Sequence, residues 1–271
     1  MNKTKKFIET KEYKQFAEFY DACIKYKYIG VCYGIPGVGK TVSARHYANW
    51  DSIFKQIDFK VNKEIGIDAA KEILYANTIF CTARAERQTR ISNNIHTYGI
   101  RIGLTRNIYL TEKEGKEDRG LSTDAYKGID LIIVDEIDRL KLQHFEQLRD
   151  IYDQNDIAMV LIGMPGIEKR LSRYPQLYSR IGFAHEFDNL SKDETHHIIE
   201  YKWSDRGLDL KLEDFSDYEA ITSIIKITKG NFRLLHRLFA QIHRILEINE
   251  LNNITVDVVE AARDRAFFLR M

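Results

Sequence analysis

The hydrophobic positions of this chain follow two different patterns, one in the first two thirds and another near the end. Short apolar runs predict five strands, at residues 28–33, 78–82, 129–134, 157–162 and 183–187. Nearly unbroken runs such as 129–134 are typical of strands buried on both faces, as in a parallel sheet. Helices are predicted at 41–49, 69–76, 140–154 and 167–171, where apolar residues recur at helical spacing. This alternation predicts an α/β fold with a doubly wound parallel sheet flanked by helices.

From about residue 190 the chain shows helical periodicity alone, without any strand-like run. Helices are predicted near 191–205, 214–228, 231–248 and 255–269, and the segment from Ser191 to Glu194 is a capping box that opens the first of them. The apolar positions of residues 4–27 predict one or two further helices. We therefore expect a helical extension at 1–27, an α/β core at 28–189 and a smaller all-helical domain at 190–271.

Composition narrows the class of protein. The chain has 271 residues, enough for one large and one smaller domain, and is 44% hydrophobic and 30% charged, as in a globular protein. No apolar run approaches the roughly 20 residues of a membrane span, and the basic N-terminus lacks the apolar core of a secretory signal. Cys23, Cys32 and Cys81 have no metal-ligand spacing, which favours reduced thiols in a cytoplasmic protein.

A glycine-rich segment follows the first predicted strand. The sequence GIPGVGKT, residues 34–41, matches the Walker A phosphate loop G-x-x-x-x-G-K-[ST], with a strand before it and a helix after it. Such glycines let backbone N–H groups surround phosphate oxygens, and the helix N-terminus adds its positive dipole end. We expect Lys40 to reach the β- and γ-phosphates of a nucleotide. The predicted nucleotide-binding residues are Gly34, Pro36, Gly37, Val38, Gly39, Lys40, Thr41 and Val42.

Two acidic residues follow the apolar run 129–134. Asp135 and Glu136 are the Asp-Glu pair of a Walker B motif, in which a hydrophobic strand ends in these two residues. Thr41 and Asp135 are predicted to bind Mg²⁺, and Glu136 to orient and deprotonate the attacking water. The alternative is a structural ion pair between Asp135 and Lys40, which leaves the glycine-rich loop unexplained.

These motifs and the helical C-terminal segment resemble the AAA+ ATPases. Residues 134–140 (VDEIDRL) and 161–171 (LIGMPGIEKRL) are also similar to the AAA+ group that regulates DNA transposition, which includes TniB, TnsC and MuB. The resemblance extends over roughly residues 28–240. It implies a P-loop AAA+ core with a helical lid, and ATP with Mg²⁺ as the bound nucleotide.

The same resemblance implies roles for three arginines. Arg233, in the sensor 2-like segment 230–233, would contact the γ-phosphate beside Lys40, and Arg180 would be an arginine finger that completes a neighbouring subunit's site. Arg173 is a second candidate for the finger. The pair Gly163-Met164 departs from the family, which usually has a polar sensor 1 residue there. We therefore expect slow hydrolysis that a partner stimulates.

A basic segment follows the second predicted strand. Five arginines oppose a single glutamate between residues 82 and 109, a net charge of +4 in a chain whose net charge is +1. The resemblance implies that such a segment grips DNA, whereas a solvated helix face is the alternative. The predicted DNA-binding residues are Arg84, Arg87, Arg90, Arg101 and Arg106. If all five contact phosphates, log K should fall with log[salt] at a slope of about −4.5.

The function expected from these features is an ATPase that assembles on double-stranded DNA, without sequence preference, when ATP is bound. It would form a ring or a helical filament, because a finger acts on a neighbour's site, and it would recruit or activate a transposase. A helicase loader or replication initiator is the first alternative, and a signalling NTPase that binds protein rather than DNA is the second. Sizing with ATP analogue and duplex DNA separates these classes.

Overall fold

The computed structural model describes residues 7–58, 70–83, 91–115, 124–205 and 215–266, and the chain forms two compact units. The first, here called the sheet unit, comprises residues 15–34 and 40–186. The second, the helical unit, comprises the described residues of 1–14, 35–39 and 187–271. Most of the glycine-rich loop thus belongs to the helical unit, whereas Gly34 and Lys40 belong to the sheet unit.

The sheet unit contains a five-stranded parallel sheet in the order β2-β3-β4-β1-β5. Its strands are β1 (Ile29–Tyr33), β2 (Thr78–Thr82), β3 (Leu131–Asp135), β4 (Ala158–Gly163) and β5 (Ile181–Glu186). Every residue of β3 and β4 is buried, as expected for strands covered on both faces. The predicted α/β fold with a parallel sheet is therefore confirmed, and the loops after β1 and β3 leave the same edge of the sheet.

Helices precede and separate these strands. They are α1 (Lys11–Tyr26), α2 (Lys40–Tyr47), α3 (Trp50–Ile57), α4 (Ile91–Glu114), α5 (Leu142–Gln154), α6 (Ile167–Leu171) and α7 (Pro175–Tyr178), with 3₁₀ turns at Lys71–Tyr75 and Ile137–Arg139. The first four residues of α1 belong to the helical unit. The predicted helix 41–49 ends earlier than expected, because Asn49 has a φ of 45° and separates α2 from α3.

Helix α4 lies within the basic segment and was not among the predicted helices. It buries Ile91, Ile95, Gly99 and Ile102 at spacings of three and four residues. Gly99 permits a close approach, since a Cβ there would lie 1.9 Å from the carbonyl oxygen of Ala125. The Tyr98 ring packs edge-on against Trp50 of α3, with ring centroids 5.3 Å apart. A polar segment by sequence is therefore an integral helix of the sheet unit.

The helical unit contains α8 (Lys192–Asp205), α9 (Phe215–Thr228), α10 (Phe232–Ile248) and α11 (Val256–Ala266). Its core is formed by apolar side chains such as Ile199, Ile221, Ile224, Leu235, Leu238, Ile242 and Val259. Ile8, near the N-terminus, packs against this core. The predicted capping box is present: the backbone N–H of Ser191 donates to the Glu194 carboxylate at 3.0 Å, and the backbone N–H of Glu194 donates to the Ser191 hydroxyl at 3.2 Å. The Glu194 carboxylate also accepts from the Ser191 hydroxyl and from the backbone N–H of Lys11. These bonds outweigh the burial of Glu194 and lower the pKa of its carboxyl group.

Among the helices that the structure describes, none combines the length and the apolar character needed to cross a membrane.

Candidate functional site

The glycine-rich loop joins β1 to α2. Gly37 has a φ of 90° and Gly39 a φ of 123°, a region of backbone conformation that side-chain-bearing residues rarely adopt. A Cβ at Gly37 would also lie 2.6 Å from Asn231 Oδ1 and 2.7 Å from Arg233 Cβ, all within the helical unit. Glycine is therefore required at Gly37 both by its backbone conformation and by its close neighbours.

Lys40 is the first residue of α2 and lies in the sheet unit. Its Nζ donates a hydrogen bond of 2.5 Å to the carbonyl oxygen of Gly34, so the side chain folds back over the beginning of its own loop. The side chain is nearly buried. A buried ammonium group held beside a loop of backbone N–H donors suits an anion such as a phosphate.

Thr41 and Asp135 are brought together from α2 and the end of β3. The Thr41 hydroxyl donates to Asp135 Oδ2 at 2.7 Å, and the backbone N–H of Glu136 donates to Oδ1 at 2.8 Å. Asp135 is only 3% exposed. Burial raises the pKa of its carboxyl group, although these hydrogen bonds and the nearby Lys40 charge oppose that rise. A carboxylate and a hydroxyl oxygen in contact are the ligand types that Mg²⁺ prefers, so these two residues fit the ion.

Glu136 follows Asp135 in a left-handed backbone conformation, with φ 59° and ψ 39°. A residue with a side chain adopts this region infrequently, and such positions are concentrated at functional sites. Its carboxylate pairs with Arg139 Nη1 at 2.7 Å, and both side chains are partly exposed. Arg139 lies in the segment 134–140 but was not among the predicted site residues, because its pairing with Glu136 has no signature in the sequence.

Residues 36 and 37 contact the beginning of α10 within the helical unit. The backbone N–H of Arg233 donates to Gly37 O at 3.0 Å, and Asn231 Nδ2 donates to Pro36 O at 3.0 Å. The Arg233 side chain is exposed. The structure thus brings the predicted residue Arg233 together with the loop, and adds Asn231, which the sequence did not single out.

The two candidate finger residues differ in their contacts. Arg180 forms a two-pronged ion pair with Asp153, with distances of 2.5 Å and 2.7 Å, and also donates to the carbonyl oxygen of Gln176. Arg173 is exposed, and within the described part of the chain its side chain has neither a hydrogen bond nor an ion pair. Of the two, Arg173 therefore has the guanidinium group that is available without breaking a contact.

The carboxylate of Asp138 lies at the end of β4, where the sequence has Gly163 and Met164 in place of a polar residue. Asp138 Oδ2 accepts from the backbone N–H of Met164 at 2.9 Å, and a Cβ at Gly163 would lie 3.2 Å from the same oxygen. Asp138 thus supplies a polar group beside Gly163 and Met164. Nothing in the sequence indicates this contact, because helix α5 separates Asp138 from the strand.

The predicted DNA-binding arginines divide into two sets. Arg84, Arg87 and Arg90 lie outside the described residues. Arg101 and Arg106 lie on α4, where Arg101 donates to Ile57 O at 3.4 Å and Arg106 donates to Ile73 O at 3.4 Å and to Ala76 O at 2.6 Å. Burial lowers the pKa of the Arg106 guanidinium group. The guanidinium group of Arg106 therefore donates its hydrogen bonds to backbone carbonyls of the sheet unit.

The remaining predicted loop positions differ in exposure. Val38 is buried, whereas Val42 is an exposed residue of α2. The candidate residues of the sheet unit are Gly34, Lys40, Thr41, Asp135 and Glu136. Those of the helical unit are Pro36, Gly37, Asn231 and Arg233.

Comparison with known proteins identifies the family of this chain. A family model described as "AAA domain" matches residues 24–171. A Staphylococcus aureus protein named "Potential ATP-binding protein" is 64% identical over 264 residues, which cover 97% of each chain. A Haemophilus influenzae protein, "Mu-like prophage FluMu DNA transposition protein B", is 24% identical over 242 residues, 86% of this chain and 71% of that protein.

A solved structure shares the fold. The Thermotoga maritima RuvB Holliday junction branch migration motor superimposes with a TM-score of 0.56 at 19% identity, covering 96% of this chain and 70% of RuvB. At this identity the likeness concerns the fold alone. It agrees with the parallel sheet followed by a helical C-terminal region.

Proposed function

The chain belongs to the AAA domain family, and from that premise we propose that it is an ATPase that assembles on double-stranded DNA and regulates transposition. The single observation that best supports nucleotide hydrolysis is the contact between Thr41 and Asp135. It joins the residue after the phosphate-loop lysine to the carboxylate that ends β3. A P-loop NTPase uses this pair of oxygens to hold Mg²⁺ against the nucleotide.

Each residue of the site then has a defined task. Lys40 would leave Gly34 O and bind the β- and γ-phosphates, while Arg233 would contact the γ-phosphate. Thr41 and Asp135 would hold Mg²⁺, which when bound neutralises charge on the phosphate oxygens. Glu136 would accept the proton of the attacking water. Because Glu136 pairs with Arg139 in the isolated chain, its carboxylate must be released or shared for that step.

We further propose that Arg173 is the arginine finger. A finger must reach into a neighbouring subunit's site, and Arg173 can do so without breaking a contact described in the chain. Arg180 would first have to leave Asp153 and the Gln176 carbonyl. The finger requires at least two subunits, which is the basis for the proposed ring or filament.

The proposed role in DNA transposition rests on two observations. The Haemophilus influenzae relative is named a DNA transposition protein. The segment around α4 carries the basic cluster, from which we omit Arg106 because burial lowers the pKa of its guanidinium group and two of its nitrogen atoms bind backbone carbonyls. Four remaining arginines, Arg84, Arg87, Arg90 and Arg101, would give a salt slope of about −3.6 in place of −4.5. The partner of the assembly would be a transposase.

Size measurement in solution tests the proposal. The full chain is analysed by light scattering after chromatography, alone and with Mg²⁺ and a non-hydrolysable ATP analogue, duplex DNA or both. We expect large assemblies only when both are present, and none for Lys40→Ala. Assembly with nucleotide but without DNA would favour the protein-binding NTPase. Assembly on DNA together with capture of a replicative helicase, in place of a transposase, would favour the helicase loader.

A further inference from the structure

Asn231 occupies the junction between the phosphate loop and helix α10. It is the N-cap of α10, and its side-chain Oδ1 accepts from the backbone N–H of Leu234 at 3.2 Å. Its Nδ2 donates to Pro36 O at 3.0 Å and lies 3.5 Å from Asn189 Oδ1. One amide therefore caps the helix with its oxygen and binds the loop with its nitrogen.

The position is fixed from several sides. The backbone N–H of Asn231 donates to Thr228 O, and the residue is only 7% exposed. Gly230 before it has a φ of 74°, and a Cβ there would lie 2.1 Å from Leu190 O. Asn231 Oδ1 also lies close to Gly37, since a Cβ at Gly37 would be only 2.6 Å from this oxygen. The amide therefore has little freedom to leave either of its two partners.

We propose that Asn231 is a positioning residue that couples the conformation of the phosphate loop to the first turn of α10. Because one rigid amide makes both bonds, a displacement of Pro36 is transmitted to the helix cap. The bond from Arg233 N–H to Gly37 O joins the same two segments, so that the loop and the turn that carries Arg233 move together. The inference rests on the proposed function, because ATP binding is the event that would displace the loop.

Asparagine is the residue type that this arrangement needs. Serine caps a helix about as well, but its single short hydroxyl cannot accept from Leu234 and also reach Pro36. Aspartate would cap the helix but has no donor for a carbonyl oxygen and would place a charge beside bound phosphates. Asn231→Ser is therefore the variant that preserves the cap and removes the bond to the loop.

A matched control weakens a helix cap of the same unit without touching the loop. The hydroxyl of Thr255 accepts from Val258 N–H at the beginning of α11. Thr255→Ala removes that cap. Melting temperatures of both variants show whether the helical unit remains folded.

Hydrogen–deuterium exchange of the full chain is the test, with and without saturating Mg²⁺-ATP analogue. In the nucleotide-free chain, Asn231→Ser should speed exchange of peptides covering residues 34–42, and Thr255→Ala should not. With nucleotide, the wild type should gain protection in the first turn of α10. Asn231→Ser should lose most of that gain, and its apparent ATP affinity should fall roughly three- to tenfold, the factor expected for one hydrogen bond.

The outcomes separate the two proposals. If wild-type protein binds no nucleotide, the proposed function fails, and the nucleotide-free exchange of residues 34–42 still tests whether Asn231 holds the loop. If nucleotide binds but Asn231→Ser exchanges like the wild type in both states, the coupling role is refuted. The same holds if Thr255→Ala reproduces the effects of Asn231→Ser, because the effects would then report only the stability of the helices.

Discussion

The phosphate loop has two sets of contacts, one in each unit, and they differ in chemical kind. In the sheet unit, the contacts involve the side chains of Lys40, Thr41 and Asp135, which carry a charge or a hydroxyl group. In the helical unit, the contacts join the carbonyl oxygens of Pro36 and Gly37 to the Asn231 amide and the Arg233 backbone. In the proposed function, the first set takes part in the chemistry and the second set holds the loop in position. Motifs in the sequence reveal the first set far better than the second.

The largest expected effect comes from the sheet unit. Glu136→Gln keeps the size of the side chain but removes the proton acceptor, so turnover of ATP should fall by about 10²- to 10⁴-fold. Nucleotide binding should remain, because Lys40, Thr41 and Asp135 are untouched. Steady-state hydrolysis and equilibrium binding of the same preparation measure the two properties.

Glu146→Gln on α5 is the control, since Glu146 is a partly exposed carboxylate that pairs with Arg149. It should hydrolyse ATP like the wild type. Turnover by Glu136→Gln within a few-fold of the wild type would show that another group accepts the proton.

The next largest effect concerns the finger. In the assembled state on DNA, Arg173→Ala should lower ATP turnover by about 10³-fold, because the transition-state charge loses its partner. Arg180→Ala should instead destabilise the single chain by about 1 kcal/mol or less, since it breaks a partly exposed ion pair. Turnover of the assembly and urea unfolding of the single chain provide the two readouts.

The two arginines act as controls for each other. If Arg180→Ala abolishes turnover of an assembly that still forms, and Arg173→Ala does not, the finger is Arg180 and its contact with Asp153 breaks on assembly.

Arg106→Met tests whether a basic residue of α4 serves the fold or the DNA. The substitution keeps the apolar stem but removes the guanidinium donors from Ala76 O and from Ile73 O, which retains its bond from Ala76 N–H. We therefore expect a loss of about 1–3 kcal/mol in the free energy of unfolding. The salt slope of DNA binding should not change. A slope less steep by about one unit, with unchanged stability, would place Arg106 on a phosphate.

The smallest expected effect is the pH dependence of stability. Burial raises the pKa of Asp135 above its ordinary value of 3.8, so the native state keeps the proton at pH values where the unfolded chain has lost it. Stability of the nucleotide-free chain should therefore fall as pH rises from 3.8 through the native pKa. The side chain in Asp135→Asn does not ionise, so the variant should not lose stability over this pH range. It should be the more stable protein at neutral pH.

Urea unfolding of both proteins at several pH values measures this difference. The Thr41 hydroxyl can rotate to accept from the new amide, so the contact survives in the variant. A difference in stability that does not vary with pH would show that Asp135 is not destabilised by its burial.

The strands and the charged site residues could be predicted because each corresponds to a pattern of neighbouring residues in the sequence. The apolar runs predicted all five strands to within two residues at each end, and the glycines with Lys40 and Thr41 predicted the loop. Helix α4 left no such trace, since its buried face includes Gly99 and Thr105 among polar neighbours. The break at Asn49 depends on a left-handed backbone, which an asparagine adopts only in particular contexts.

Asn231 and Arg106 escaped prediction for a different reason. Their roles depend on which backbone carbonyls lie nearby, and those carbonyls belong to residues distant in the sequence: Pro36 for Asn231, and Ile73 and Ala76 for Arg106. An amide or a guanidinium group looks the same in sequence whether it binds water, DNA or a carbonyl oxygen. Only the assembled fold distinguishes these partners.

Retention of radiolabelled ATP with Mg²⁺ tests the central claim most directly. The wild-type chain should retain the nucleotide, as should Lys226→Ala, which removes an exposed lysine of α9, whereas Lys40→Ala should retain little or none. If the wild type fails to retain ATP, or if Lys40→Ala retains it equally well, the proposed nucleotide site is contradicted.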